Sequence, residues 1–142
     1  MTADTDPVVL VVDDEADSAD QLVEFLCRRG HAARAVYSVD AALDALARTA
    51  TIRIVLTDLK MPGLTGFALI DRAREQRAAS GHACPEFVIM TGHAGQVEAE
   101  VADAYQVRGF LTKPLDPYAV EKLVSQVIAS GDAFQNPVAE SV

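Results

Sequence analysis

The sequence has 142 residues, half of them apolar, and a formal net charge of −9. This length fits one domain with a substantial core, and the acidic balance argues against a nucleic-acid surface, which needs clustered Lys and Arg. No apolar run reaches the roughly 18 residues of a membrane span, and the polar N-terminus lacks the basic region of a signal peptide. We therefore predict a cytoplasmic protein that contacts neither membrane nor nucleic acid directly.

The two cysteines give no indication of a disulfide or a metal site. Cys27 and Cys84 lack the CxxC and Cys/His spacings of metal ligands. We predict two reduced thiols that are mostly buried, as is typical of a cytosolic protein.

Short apolar runs alternate along the chain with longer amphipathic stretches. The first run, 8–12, is apolar at every position, which is typical of a parallel strand buried on both faces. Further strands are predicted at 32–36, 52–57, 87–90 and 110–112, with the second near a sheet edge. The second helix is predicted to be capped by Ser38, and the third to open at Thr65 or Gly66 and to be followed by a connection at 78–85. A fourth helix is predicted at 97–105, and the last helix is predicted to begin at Pro117.

Five strand–helix units predict an α/β fold with a doubly wound parallel sheet and helices on both faces. We expect one domain over 7–131, a disordered N-terminal tail at 1–6 and a C-terminal tail or linker at 132–142.

Polar side chains follow four of the predicted strands. Asp13 and Asp14 follow the first, Asp58 the third, Thr91 the fourth and Lys113 the fifth. Ligands of open parallel sheets bind beyond these strand ends, so we expect the five side chains to converge. Clustered carboxylates repel each other, and Mg²⁺, which prefers oxygen ligands, would resolve the repulsion. Asp58 could then attack phosphorus while Lys113 neutralises the developing charge.

Each of these residues has a structural explanation when it is taken alone. Asp13 and Asp14 could cap the following helix, Asp58 could be an ordinary strand-end residue, and Lys113-Pro114 could form a turn. Their joint occurrence at separate strand ends, in this order, favours the functional reading.

Four motifs together resemble the receiver domain of two-component response regulators. They are V-V-D-D-E (11–15), L-T-D-L-K-M-P-G (56–63), I-M-T-G-H (89–93) and F-L-T-K-P (110–114). The resemblance covers roughly 7–130 and implies a flavodoxin-like (βα)5 fold with strand order 2-1-3-4-5.

The resemblance also implies a role for each site residue. Asp58 is the phosphoacceptor, Thr91 the switch hydroxyl, Lys113 the phosphate partner before a cis bond to Pro114, and Phe110 the aromatic switch residue. The implied ligands of Mg²⁺ (or Mn²⁺) are Asp13, Asp14, Asp58 and the backbone carbonyl of Lys60.

The implied partner is a sensor histidine kinase or a phosphotransfer protein, and phosphorylation would switch a protein-interaction surface rather than turn over a substrate. That surface would lie on the helix at 97–105, the fifth strand and the last helix, and it could form a phosphorylation-dependent homodimer. One departure lies nearby, because the family usually has Gly four residues before the aromatic residue, where this chain has Gln106.

Three alternatives stay open at this stage. The chain could be the receiver of a longer regulator with a DNA-binding or enzymatic output domain, a degenerate receiver, or a phosphohydrolase with an Asp nucleophile. The last is disfavoured because such enzymes use a second carboxylate where this chain has Lys60.

Overall fold

Strands and helices alternate along the chain. The computed structural model describes residues 6–61, 65–92 and 103–129. The strands are β1 (Val9–Val12), β2 (Ala33–Val36), β3 (Ile54–Asp58), β4 (Glu86–Thr91) and β5 (Gly109–Thr112). The helices with assigned bounds are α1 (Ala16–Arg28), α2 (Val39–Arg48), α3 (Gly66–Ser80) and Pro117–Ala129, here called α4.

The five strands form one parallel sheet in the order β2-β1-β3-β4-β5. This confirms the predicted α/β, flavodoxin-like fold and its strand order. The apolar run of β1 is fully buried, and β2, the weaker strand of the prediction, lies at an edge. The order of the strands reverses between β1 and β3, which is where such sheets form a ligand crevice at their carboxyl ends.

Helices cover both faces of the sheet, and each face has its own apolar cluster. On one face the strands pack against buried residues of α2 and α3, and on the other against α1 and α4. Every residue of β1 and the four residues at 87–90 are completely buried, which explains why these strands are apolar throughout rather than alternating. Among the described helices, none is long and apolar enough to cross a membrane.

Several predicted helix ends are confirmed. The Ser38 hydroxyl accepts a hydrogen bond from the Ala41 amide at 3.0 Å, Thr65 caps α3 in the same way, and α4 begins at Pro117. The predicted connection at 78–85 starts too early, because residues 78–80 still belong to α3. Alanine favours a helix, and the helix ends only where Gly81 adopts a left-handed φ of 79°.

Other predictions fall partly outside the described residues. Of the predicted helix at 97–105, residues 103–105 are helical and the others lie outside. The tail at 132–142 and most of the N-terminal tail lie outside too. The prediction that both cysteines are mostly buried is wrong, since Cys27 and Cys84 are free and exposed. Cys27 lies in the last turn of α1, where its thiol donates to the carbonyl of Ala33 in the edge strand β2 at 3.6 Å, and Cys84 follows α3 in a connection.

A buried arginine of α3 joins the end of α2 to the connection after α3. Arg77 of α3 is 1% exposed. Its guanidinium donates to the carbonyl of Thr49 at 2.9 Å and to that of Ala83 at 3.0 Å, and burial lowers its pKa. The carbonyls near helix ends lack intrahelical partners, so Arg77 satisfies groups that the fold leaves unpaired.

Candidate functional site

Asp58 is the last residue of β3, the central strand of the sheet. Its side chain is 16% exposed. Burial raises the pKa of Asp58, and the negative charge of Asp13 raises it further, while Lys113 and the Leu59 amide act in the opposite direction. The carboxylate is therefore held in a partly desolvated position in which added positive charge stabilises its ionised form.

Asp13 has both of its oxygens occupied, each with a different partner. Oδ1 accepts from the Glu15 amide at 3.0 Å, and Oδ2 accepts from the Lys113 ammonium at 3.1 Å. The alternative that Asp13 and Asp14 cap α1 is wrong, because the N-cap residue is Glu15 and no side chain caps this end. Asp13 instead stabilises the turn before the helix and presents its second oxygen to the site.

The structure brings the three predicted carboxylates together. Oxygens of Asp13, Asp14 and Asp58 lie within 4.8 Å of one another, with Asp13 buried and Asp14 exposed. Three hard oxygen donors, one of them open to solvent, suit a divalent cation that keeps some of its water ligands. The residues therefore fit a metal ion of this class.

Lys113 supplies a positive charge next to two of the three carboxylates. Its ammonium lies 3.1 Å from Oδ2 of Asp13 and 3.4 Å from Oδ2 of Asp58. Burial alone would lower the pKa of Lys113, but the hydrogen bond to Asp13 and the charges of Asp58 and Asp13 outweigh it and raise the pKa. The ammonium thus stays charged. The bond from Lys113 to Pro114 is cis, as the resemblance implied.

Thr91 ends β4, Lys113 directly follows the neighbouring strand β5, and the two residues are joined through the backbone. Thr91 ends β4 and is 6% exposed, and its carbonyl accepts a hydrogen bond from the Lys113 amide at 2.8 Å. β4 lies directly between β3 and β5. The hydroxyl-bearing strand thus lies between the carboxylate-bearing and the ammonium-bearing strand.

The remaining two predicted residues lie at the border of the site. Phe110 of β5 is half-buried and packs against the apolar cluster of the α2 and α3 face. Lys60, two residues after Asp58, has an exposed side chain and pairs with Thr65 through an isolated antiparallel bridge. The ligand role of the Lys60 carbonyl stays a prediction.

One structural residue of the site was not predicted from the sequence. A Cβ atom at Gly66 would lie only 2.6 Å from the carbonyl oxygen of Asp58, and the Gly66 amide donates to the carbonyl of Leu59 at 2.8 Å. The start of α3 therefore packs directly on the backbone of Asp58. A glycine at the first position of a helix was the available signal.

A groove adjoins the site between α1 and the connection from β5 to α4. Its volume is about 540 Å³, and its lining includes Asp13, Leu22, Lys113 and Pro117. The groove gives solvent access to the ammonium and to the buried carboxylate from the side of α1.

The family model of the response regulator receiver domain matches residues 9–125. The chain belongs to this receiver family. All predicted site residues lie within the matched stretch, and the family assignment confirms the resemblance drawn from the four motifs.

Individual relatives extend the comparison. A response regulator receiver protein from Pseudomonas putida is 30% identical, with a TM-score of 0.76 over 86% of this chain and 98% of that chain. A chemotaxis protein CheY homolog of Campylobacter jejuni is 25% identical over 87% of this chain and 93% of its own length. The DNA-binding transcriptional regulator NtrC of Klebsiella pneumoniae is 31% identical over 92% of this chain, but the match spans 26% of NtrC.

Proposed function

We propose that this receiver domain accepts a phosphoryl group on Asp58, in a Mg²⁺-dependent reaction, from the phosphohistidine of a sensor kinase or a phosphotransfer protein. The observation that carries the proposal is the position of the Lys113 ammonium, 3.4 Å from Asp58 and 3.1 Å from Asp13, on a cluster of three carboxylates. A nucleophile, a counter-charge and a set of hard ligands thus stand together at the strand ends.

In the proposed transfer an oxygen of Asp58 attacks phosphorus, and the bond from phosphorus to the donor nitrogen breaks. The electron pair of that bond stays on the imidazole. Lys113 neutralises charge on the phosphoryl oxygens where it develops, which is the main means of catalysing phosphoryl transfer. Asp13, Asp14, Asp58 and the Lys60 carbonyl would hold Mg²⁺, which supplies further charge neutralisation when bound.

The phosphorylated domain would act as a switch rather than as an enzyme. An acyl phosphate on Asp58 carries roughly two negative charges at neutral pH, on three phosphoryl oxygens, in place of the single charge of the carboxylate. The Thr91 hydroxyl, on the neighbouring strand, would bond a phosphoryl oxygen, and Phe110 would repack against the space that Thr91 vacates. The two conformations differ in these contacts, so phosphorylation shifts their populations and changes the surface that α4 and β5 offer to an output protein or to a second copy of the chain.

A donor that is itself phosphorylated from ATP would meet the domain in the cytoplasm, and we propose this location. The output could be a separate protein, as the match over 93% of a CheY homolog suggests, or a further domain, since the match spans only part of NtrC. The phosphohydrolase alternative gains no support, because the residue two positions after Asp58 is the exposed Lys60.

The test is incubation of the protein with acetyl phosphate, with and without Mg²⁺, followed by intact-mass measurement. We expect the mass of one phosphoryl group to be gained only with Mg²⁺, and the gain to be lost in Asp58→Asn. A gain that survives Asp58→Asn, or no gain in the wild-type protein, contradicts the proposed function. Beryllofluoride gives an independent measurement, because it should change the amide NMR spectrum of the wild-type protein and not that of Asp58→Asn.

A further inference from the structure

The turn before β5 has a backbone conformation that its sequence does not favour. Gln106 has a φ of 58°. This is the left-handed region, which glycine adopts without steric cost and in which a residue with a side chain is strained. Its amide donates to the carbonyl of Asp103 at 3.1 Å, so the strained residue closes the helical turn at 103–105. Something outside this turn must hold it.

Arg74 of α3 provides that contact. Its Nη1 donates to the carbonyl of Tyr105 at 2.5 Å, and its Nη2 donates to the carbonyl of Gln106 at 3.2 Å. The last carbonyls of a helical turn have no partner within the helix, and the planar fork of a guanidinium suits two neighbouring acceptors. The same guanidinium lies over the ring of Phe87, 5.5 Å from its centroid.

A second contact joins the same helix to the same turn. The ring of Tyr105 stacks on that of Phe67, the second residue of α3, with centroids 4.8 Å apart. Tyr105 is thus held through its ring by Phe67 and through its carbonyl by Arg74. Because α3 begins at Gly66, against the backbone of Asp58, one helix touches both the phosphoacceptor and the turn.

The turn at Gln106 also determines where β5 begins. The Arg108 amide donates to the carbonyl of Phe87 at 2.7 Å, which is the first link to β4, and Phe110 follows two residues later in register with Ile89. If Gln106 relaxed to a negative φ, this first link would shift. The packing of Phe110 would shift with it.

We infer that Arg74 is a positioning residue of the switch, which holds Gln106 in the left-handed conformation and so keeps Phe110 in its packing of the unphosphorylated state. The part of this inference that concerns phosphorylation rests on the proposed function. Without Arg74, the turn loosens and the unphosphorylated protein populates the alternative packing of Phe110 more often.

The first test uses unphosphorylated protein and needs no phosphoryl donor. Aromatic and amide NMR signals of Phe110 and its neighbours are compared in the wild type, Arg74→Met and Arg74→Lys. Lysine keeps the charge and loses the fork, so both variants are expected to shift the Phe110 signals. Gln106→Gly placed on Arg74→Met should return them towards the wild-type positions, because glycine adopts the left-handed conformation without help.

The second test measures the rate of Mg²⁺-dependent labelling by acetyl phosphate. If the alternative packing is the more reactive one, and is a minor state in the wild type, Arg74→Met should label about three- to ten-fold faster. Gln106→Gly on Arg74→Met should remove most of that gain. If Arg74 only stabilised the fold, Arg74→Met would lower the stability of the protein, and Gln106→Gly would not return the labelling rate towards the wild-type value.

The two tests fail separately. Phe110 signals that are the same in Arg74→Met and the wild type, or that Gln106→Gly does not restore, overturn the role of Arg74. Shifted and restored signals with unchanged labelling rates leave Arg74 as a positioning residue of Phe110 and overturn its link to phosphorylation. A wild-type protein that takes up no phosphoryl group at all contradicts the proposed function, and the NMR comparison then decides the role of Arg74 alone.

Discussion

The Lys113 ammonium lies 3.4 Å from Oδ2 of Asp58, although Asp58 ends β3 and Lys113 follows β5, and these strands are not neighbours in the sheet. β4 separates them, so the contact spans two strand spacings and depends on the long side chain of lysine. We expect Lys113→Met to lower the rate of acetyl phosphate labelling roughly 10²-fold, the usual effect of removing one stabilising donor. The rate is measured by intact mass at fixed Mg²⁺.

The matched control for this substitution is Lys122→Met, which removes the same charge from an exposed position of α4. It should label at the wild-type rate. Equal rates in the two variants would mean that only overall charge matters and that Lys113 has no local role.

Gly66 is expected to be intolerant of even one added methyl group. Its Cβ would stand 2.6 Å from the carbonyl oxygen of Asp58, a backbone atom that cannot move unless β3 moves with it. We expect Gly66→Ala to lower the free energy of unfolding by about 1–3 kcal/mol, although alanine favours helices. Urea denaturation measures the change, and Gly92→Ala, whose Cβ would meet nothing within 4 Å, is the control. A neutral Gly66→Ala would show that the helix start can move away from Asp58.

Arg77 is expected to matter for stability and not for phosphorylation. Arg77→Met keeps most of the side-chain volume but leaves the carbonyls of Thr49 and Ala83 without their donor. A loss of about 2–4 kcal/mol in the free energy of unfolding is expected, since buried groups without partners are costly. Arg48→Met, which removes an exposed ion pair with Asp44, should cost roughly 0.5 kcal/mol or less. Similar losses in both variants would contradict this.

Glu86 at the start of β4 should make stability depend on pH. Burial raises the pKa of Glu86 above its ordinary value of 4.5, and the charges of Arg108 and Arg74 offset this only in part. The folded state therefore binds the Glu86 proton more tightly than the unfolded state. The stability that this tighter binding contributes is lost as pH rises from 4.5 through the raised pKa. Glu86→Gln should flatten the profile in that window, so that its stability relative to the wild type increases above pH 4.5.

Denaturant unfolding at several pH values between 3 and 8 (about five would suffice) measures the effect of Glu86. Glu75→Gln, at an exposed position of α3, is the matched control and should leave the shape of the profile unchanged. Parallel profiles for the wild type and Glu86→Gln would show that burial does not perturb this carboxyl group.

Patterns that depend on local sequence predicted the fold well. The continuous apolar run of β1, the hydroxyl of Ser38 and the ring of Pro117 each act within a few residues, so their structural consequences could be read from the chain. The end of α3 was less accessible, because alanines before Gly81 fit both a helix and a connection. Burial of Cys27 and Cys84 was predicted from residue type, and residue type does not determine which side of a helix faces the core.

The site could be predicted because the topology rule places all strand ends at one edge. That rule needs only the order of the strands and the residue after each one, such as Asp58 or Lys113. The contacts of Arg74 with Tyr105 and Gln106 follow no such rule. They join α3 to a turn far along the chain, and only the tertiary structure brings a guanidinium to two carbonyls.

The hydrogen bond between Asp13 and Lys113 joins residues 100 positions apart. Asp13, Asp14 and Asp58 are synthesised well before Lys113. The strand that precedes Lys113, β5, joins the sheet at the edge opposite β2. A nascent chain that has folded its first three strands therefore presents an acidic cluster without its protein cation. Completion of the last edge strand brings the ammonium to these carboxylates, so the site is assembled only when the fold is finished.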